Sequence, residues 1–212
     1  MEIIKIHNQD FILHPSGAMY WTNEKMLLIA DVHLGKVSHF RKFGSAIPPQ
    51  VLLENFRKLN IVSKAFDSST ICFLGDLFHS HINAEWNLFE DWVALQESKI
   101  ILIAGNHDII SPLYYEALKI ELVKELVIKN FLLTHHPNVR KNLFNITGHI
   151  HPGIQVNGSG RQHIAVPCFF KSSQQLILPA FGAFTGKHIL KPKRGDKVYA
   201  TVGDEIIPIN LK

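Results

Sequence analysis

Five short stretches of this 212-residue chain carry side chains able to do metal or acid–base chemistry. They are Asp31-Val32-His33, Gly75-Asp76, Gly105-Asn106-His107-Asp108, His135-His136 and Gly148-His149-Ile150-His151. Together they offer carboxylates, an amide oxygen and imidazoles, and no thiolate. Hard oxygens mixed with imidazoles suit a pair of first-row divalent ions such as Mn, Fe or Zn. Each stretch alone also has an ordinary explanation. Asn106-His107-Asp108 could cap a helix starting near Ser111, and Asp31 with His33 could be a turn residue and a surface residue. What packing does not explain is that all five end a short apolar run.

Those runs, at 26–30, 70–74, 101–104, 131–134 and 143–147, read as buried strands. The C-terminal ends of such strands are where open α/β sheets gather ligands. Helical patterns lie between them. Leu52, Phe56, Leu59, Val62 and Phe66 recur every three or four residues behind Pro48-Pro49, a pair suited to a helix start. Trp86, Phe89, Trp92 and Val93 mark a second helix from about 83 to 97, and 112–119 a short third. Strands alternating with helices imply parallel pairing through right-handed crossovers. Phe11-Ile12-Leu13 and Met19-Tyr20-Trp21 suggest an antiparallel hairpin feeding the strand at 26–30. Residues 36–43, with Lys36, His39, Phe40, Arg41, Lys42 and Phe43, read as a basic aromatic loop. After 153 the helical period disappears, and branched runs separated by Gly, Pro and Asn predict an antiparallel second sheet. The expected architecture is a single α/β domain over 1–212, two sheets with flanking helices.

Composition narrows the function further. Hydrophobic residues at 46% and charged residues at 19% are those of a soluble globular protein. A formal charge of +4 leans toward anionic partners such as nucleic acid, although ordinary enzymes carry as much. Cys72 and Cys168 are far apart and form no Cys-x-x-Cys, so a disulfide framework or zinc ribbon is not expected and a reducing cytoplasm is. Neither an apolar signal core nor an apolar run of about 18 residues is present, which argues against secretion and membrane spanning. Nothing points to a serine or cysteine nucleophile, nor to a phosphate-cradling glycine loop.

In their order, the five motifs resemble those of the calcineurin-like metallophosphoesterase superfamily over residues 26–152. The resemblance implies a sandwich of two mixed β-sheets flanked by helices, with a two-metal site at the strand ends. Carried over residue by residue, Asp31, His33 and His151 would bind one ion and Asn106, His135 and His149 the other, with Asp76 bridging. His135 is preferred to His136 because it is nearer the strand end and matches the family's first His. Two such cations can share a water and lower its pKa. His107 would hydrogen-bond the phosphate or protonate the leaving alkoxide, and Asp108 would fix the orientation of its ring.

Further stretches are similar to the bacterial ligase-associated DNA damage response endonuclease PdeM family across nearly the whole chain. They are Ala30-Asp31-Val32-His33-Leu34-Gly35-Lys36, Phe40-Arg41-Lys42-Phe43-Gly44, Gly75-Asp76-Leu77-Phe78-His79-Ser80, Val166-Pro167-Cys168-Phe169 and Leu178-Pro179-Ala180-Phe181-Gly182-Ala183-Phe184-Thr185-Gly186. The likeness implies a manganese-dependent nuclease acting on DNA in repair, with a DNA ligase or helicase as partner. A phosphoprotein substrate is not expected, because His79 is followed by Ser80 and not by the arginine of protein phosphatases. His39, His79 and Arg41 are candidate substrate contacts. Lys42, Lys187, Lys191, Lys193 and Arg194 would grip a phosphate backbone or simply form a solvated positive face. The competing readings are a phosphomonoesterase or cyclic-nucleotide phosphodiesterase on a small substrate, and a scaffold that has lost catalysis. The full ligand set with His107 argues against the scaffold.

Overall fold

The short apolar runs form strands, and the strands assemble into two sheets. The structure, a computed structural model, describes residues 1–42, 44, 50–157 and 163–210, with the backbone alone for 39, 41, 42, 50–52 and 157. Phe43, Pro48-Pro49 and the side chains of His39, Arg41, Lys42 and Leu52 therefore lie outside the described residues.

The first sheet contains β1 (Glu2–Ile6), β2 (Gln9–Leu13), β3 (Met19–Trp21), β4 (Met26–Ile29), β5 (Thr70–Phe73), β6 (Lys99–Ile103) and β7 (Glu121–Val123), in that spatial order. β1 to β4 pair antiparallel and β4 to β7 parallel. β1, for which the sequence raised no expectation, folds onto β2 through His7 and Asn8, at φ 46° and 61°. Two successive positive φ values are what a two-residue hairpin requires. The parallel crossovers carry α1 (Lys36–Lys42) and α2 (Gln50–Ala65), then α3 (Ala84–Ala94), then α4 (Pro112–Ala117).

Residues 36–42, expected as part of a loop, are α1. The reason lies elsewhere in the chain. The buried Glu85 of α3 accepts the Ser38 hydroxyl at 2.9 Å and the backbone N–H groups of Gly35 and Ser38, so it caps the helix in place of a local residue.

The second sheet holds β8 (Leu126–Ile128), β9 (Phe131–Thr134), β10 (Phe144–Thr147), β11 (Pro152–Asn157), β12 (His163–Lys171), β13 (Gln175–Ile177), β14 (His188–Ile189), β15 (Lys197–Val202) and β16 (Glu205–Ile209). Its order is β14-β11-β12-β13-β10-β9-β8, with β15 and β16 joined through β12. The tail is not purely antiparallel, as expected, but mixed: β13 lies parallel to β10 and β14 parallel to β11. β10 is buried along its whole length and needs a neighbour on each side, and β13 supplies the second after the β11–β12 hairpin has intervened.

Alternation along the strands divides the core. Leu27, Ile29, Ile71, Phe73, Ile100 and Leu102 face Phe56, Leu59, Val62, Trp86, Phe89, Trp92 and Tyr115 of α2 to α4. Met26, Leu28, Cys72, Leu74, Ile101 and Ile103 meet Phe131, Leu133, Phe144, Ile146, Phe169 and Leu176 between the sheets. β4 to β6 are thus covered on both faces, which is why they read as unbroken apolar runs. Both cysteines are buried free thiols pushed up to about 12 by burial, far from a reactive thiolate. Among the described residues no helix is long and apolar enough to cross a membrane.

Candidate metal centre

β4 and β5 end at Ile29 and Phe73, yet their exits continue side by side. Asp31 N–H donates to Gly75 O at 3.2 Å, His33 N–H to Asp76 O at 2.9 Å, and Leu34 N–H to Leu77 O at 2.8 Å. Along these exits and the exit of β10 the backbone is left-handed at five expected ligands: Asp31 (φ 55°), His33 (51°), Asp76 (51°), His149 (68°) and His151 (50°). Such conformations cost about 1–3 kcal/mol each in a residue with a Cβ and persist where the surroundings enforce them. They also break the strict alternation of an extended chain, so neighbouring side chains can converge.

Glycines make the convergence possible. A Cβ on Gly75 would stand 2.3 Å from His135 Nδ1, one on Gly105 2.3 Å from Asp76 Oδ1, and one on Gly148 2.6 Å from Asp31 Oδ2. Each glycine before a site residue therefore clears space for a site residue from another strand.

Two sets of acceptors result. In the first, Asp31 Oδ1 lies 3.3 Å from His151 Nε2, and His33 Nε2 lies 3.3 Å from the same nitrogen. In the second, His135 Nδ1–H donates to Leu74 O at 2.9 Å, so Nε2 is the bare nitrogen. That Nε2 faces Asn106 Oδ1 at 3.0 Å, His149 Nδ1 at 3.1 Å and Asp76 Oδ1 at 3.4 Å. Asp76 lies between the sets, its Oδ2 3.9 Å from His33 Nε2. The structure brings these seven side chains to one place, with Asp31, His33 and His151 on one side, Asn106, His135 and His149 on the other, and Asp76 between them.

The residues fit divalent cations. Asp31 Oδ1 is buried and accepts no hydrogen bond, which is costly for a carboxylate unless a cation serves it. Burial, together with His151, Lys36, His107 and His79, lowers the His33 pKa to about 2, and burial with His136 and His135 lowers that of His149. Neutral imidazoles are the form that ligates a metal.

His107 sits beside this pair of sets. Its N–H donates to Asp76 Oδ1 at 2.9 Å, and its ring stacks on that of His79 with centroids 4.9 Å apart and planes 26° apart. His79 is therefore at the site, 5.6 Å from the His33 ring. Asp108, expected to orient the His107 ring, is placed differently. Oδ1 accepts Phe78 N–H at 3.1 Å and Oδ2 accepts Gly105 N–H at 2.9 Å, so it ties the exits of β5 and β6 together. Burial raises its pKa, and the backbone amides of Gly105, Phe78 and Asp76 offset only part of that rise. His39 and Arg41 have backbone positions in α1, and their side chains lie outside the described residues.

Sequence reasoning set His136 behind His135 and passed over the polar residues beneath their turn. His136 is exposed with its ring 4.0 Å from that of His149, and it forms a third cluster with His135 and His149. The His-His pair was the signal. Behind the turn, buried Asn145 donates to Leu132 O and Thr134 Oγ1, both at 2.9 Å, and Thr134 Oγ1 donates to His136 O at 2.6 Å. Thr147 Oγ1 donates to His135 O.

Comparison with known proteins agrees with this geometry. The family model for calcineurin-like phosphoesterase matches residues 24–164, well over half of the chain. No curated protein sequence matches. Among solved structures, the crystal structure of Pseudomonas putida nuclease MPE superposes with a TM-score of 0.81 at 27% identity, covering 98% of this chain and 99% of that one. A protein of unknown function from Aquifex aeolicus, AQ665, reaches only 0.44 at 19% identity, covering 64% and 82%.

Proposed function

The chain belongs to the calcineurin-like phosphoesterase family and is a hydrolase of phosphoester bonds, and from that premise we propose that it is a nuclease cutting the phosphodiester backbone of DNA. One observation carries the reading: the likeness to the Pseudomonas putida nuclease spans nearly the whole of both chains and extends past the 24–164 span into the tail. The sequence resemblance to ligase-associated endonucleases supports a cytoplasmic role in DNA repair beside a ligase or helicase.

Asp31, His33 and His151 would hold one divalent cation, Asn106, His135 and His149 a second, and Asp76 both. Mixed imidazole, carboxylate and amide donors suit Mn, with Fe or Zn as alternatives. Bound there, the cations would neutralise charge on the phosphoryl oxygens and activate water as a nucleophile.

The chain's own residues have separate tasks. His107 holds a proton toward the leaving oxygen, and His79, stacked on it, limits how that ring can turn. Asp108 fixes the backbone beneath both, because Phe78 precedes His79 and Gly105 precedes Asn106-His107.

The test is a substrate panel on chelator-treated protein resupplied with Mn²⁺, Fe²⁺ or Zn²⁺. We expect Mn²⁺ to restore cleavage of DNA oligonucleotides and of a model diester. Hydrolysis of monoesters or cyclic nucleotides with DNA and RNA left intact would overturn the nuclease reading.

A further inference from the structure

Residues 178–186 carry a motif that the hydrolytic chemistry leaves unused, and its contacts fall on the first ligand turn. Phe181 N–H donates to Ala30 O at 2.9 Å and Gly182 N–H to Asp31 O at 3.0 Å, a short backbone ladder along that turn. Asn55 of α2, only 5% exposed, joins the two strips. Its Nδ2 donates to Val32 O at 3.3 Å and its Oδ1 accepts Ala183 N–H at 2.9 Å. Three residues along the same helix, Lys58 donates to Phe181 O and places its ammonium 4.3 Å from the centre of the Phe181 ring. Gly182 is seated so closely that a Cβ would lie 2.4 Å from Val32 O, and Thr185 Oγ1 closes the segment on Gly182 O at 2.8 Å.

Two physical points separate this from ordinary packing. The turn it grips is strained, with Asp31 and His33 both left-handed around Val32, and strain of that kind lasts only where neighbours over-determine it. The amide is also matched on both sides: one side chain serves Val32 O and Ala183 N–H at once, so Asn55 fixes the spacing between the two strips and does not merely fill space.

We propose that Asn55 is a positioning residue of the metal centre. With Gly182 and Lys58 it holds the Asp31–His33 turn in the one backbone conformation that lets both side chains share a cation with His151. The inference rests on the ligand roles proposed above. It concerns one of the two cation positions, since Asn106, His135 and His149 stand on the exits of β6, β9 and β10.

The experiment titrates Mn²⁺ into metal-free protein by calorimetry and follows the paramagnetic resonance of the bound ions. Wild type should show two sites and the signature of a spin-coupled pair. Asn55→Ala and Gly182→Ala should each weaken one site by about 10–100-fold, the loss typical when support of a metal ligand is removed, and convert the coupled signal to that of a single ion. Val62→Ala, on the buried face of the same helix, should lower the melting temperature and leave both sites unchanged. Two unaltered sites in folded Asn55→Ala would overturn the proposal, and so would an equal weakening in Val62→Ala. Should Asn55→Ala not fold, Lys58→Met, which keeps an apolar stem over Phe181, decides by the same criterion. Absence of any Mn²⁺ binding by wild type would instead bring down the metal reading on which the proposal stands.

Discussion

His107 differs from the imidazoles around it in where its restraints lie. His33, His135, His149 and His151 bring ring nitrogens within 3.1–3.3 Å of one another in pairs, as ligands of shared ions do. His107 is tied by its backbone to Asp76, and its ring stacks on His79 and stands perpendicular to that of His33 at 5.5 Å while remaining half-exposed. His107→Gln should therefore keep its metal content and melting temperature while turnover falls by about 10²–10⁴, the usual worth of a positioned proton donor. The loss should shrink for diesters with acidic leaving groups, which need little protonation. Loss of a metal in this variant, measured by elemental analysis, would make His107 a ligand instead. At this scale the candidate site was legible because its chemistry is written in side-chain types at strand ends. Asp108 was not, because its partners are backbone amides, that of Phe78 thirty residues away, and a backbone amide leaves no mark in the sequence.

Elements were legible where a local pattern forces them. β4, β5 and β6 are buried and largely apolar on both faces, β10 is buried throughout with Phe144 and Ile146 on one face and Asn145 and Thr147 on the other, and α3 begins at Asn83, whose side chain caps the N–H of Glu85 at 2.9 Å. α1 was missed because its cap is Glu85, far along the chain, and β1 because it is an edge strand whose alternation of buried and exposed residues is only five residues long. Between the strands, the turn glycines do the positioning. Gly148 lies so near Asp31 that an added methyl group would meet Oδ2 at 2.6 Å and Ala30 Cβ at 2.8 Å. Asp31 cannot retreat easily, since the same oxygen accepts His149 N–H at 2.8 Å. Gly148→Ala should cost about 1–3 kcal/mol of stability, as overpacking does, and reduce bound metal. Gly186→Ala, where a Cβ meets nothing within 4 Å, should do neither. Equal metal content in the two variants would show that the Gly148 contact is not what sets the carboxylate.

Across the whole molecule, charge is the property that connects stability with substrate. Lys58 is held against Phe181 with its pKa lowered from 10.5 to about 8, chiefly by burial. Between those values the unfolded chain binds a proton that the folded chain has released, so this lysine makes stability rise as pH climbs from about 8 toward 10.5, and the gain is lost as pH falls through about 8. Denaturant titrations should show that rise in wild type and a flatter profile in Lys58→Met. The exposed cations Lys187, Lys191, Lys193 and Arg194 bear on the other question, what the protein binds. They flank β14, Lys187 just before it and the other three beyond it; this strand joins the sheet beside the first residues of β11, and His188 N–H donates to His151 O at 2.9 Å. The positive stretch therefore starts at the edge of the candidate metal centre, and the polymer substrate proposed above is expected to cross it. Each phosphate contact made by such a residue releases a counterion, so binding should weaken steeply as salt rises. Replacing Lys187 and Lys191 with alanine should lower the slope of log affinity against log salt by about 0.7–0.9 per lost contact, read by fluorescence anisotropy on a labelled oligonucleotide in metal-free buffer. A slope equal to that of wild type would make the stretch a solvated positive face, and the path of the nucleic acid would then have to run elsewhere.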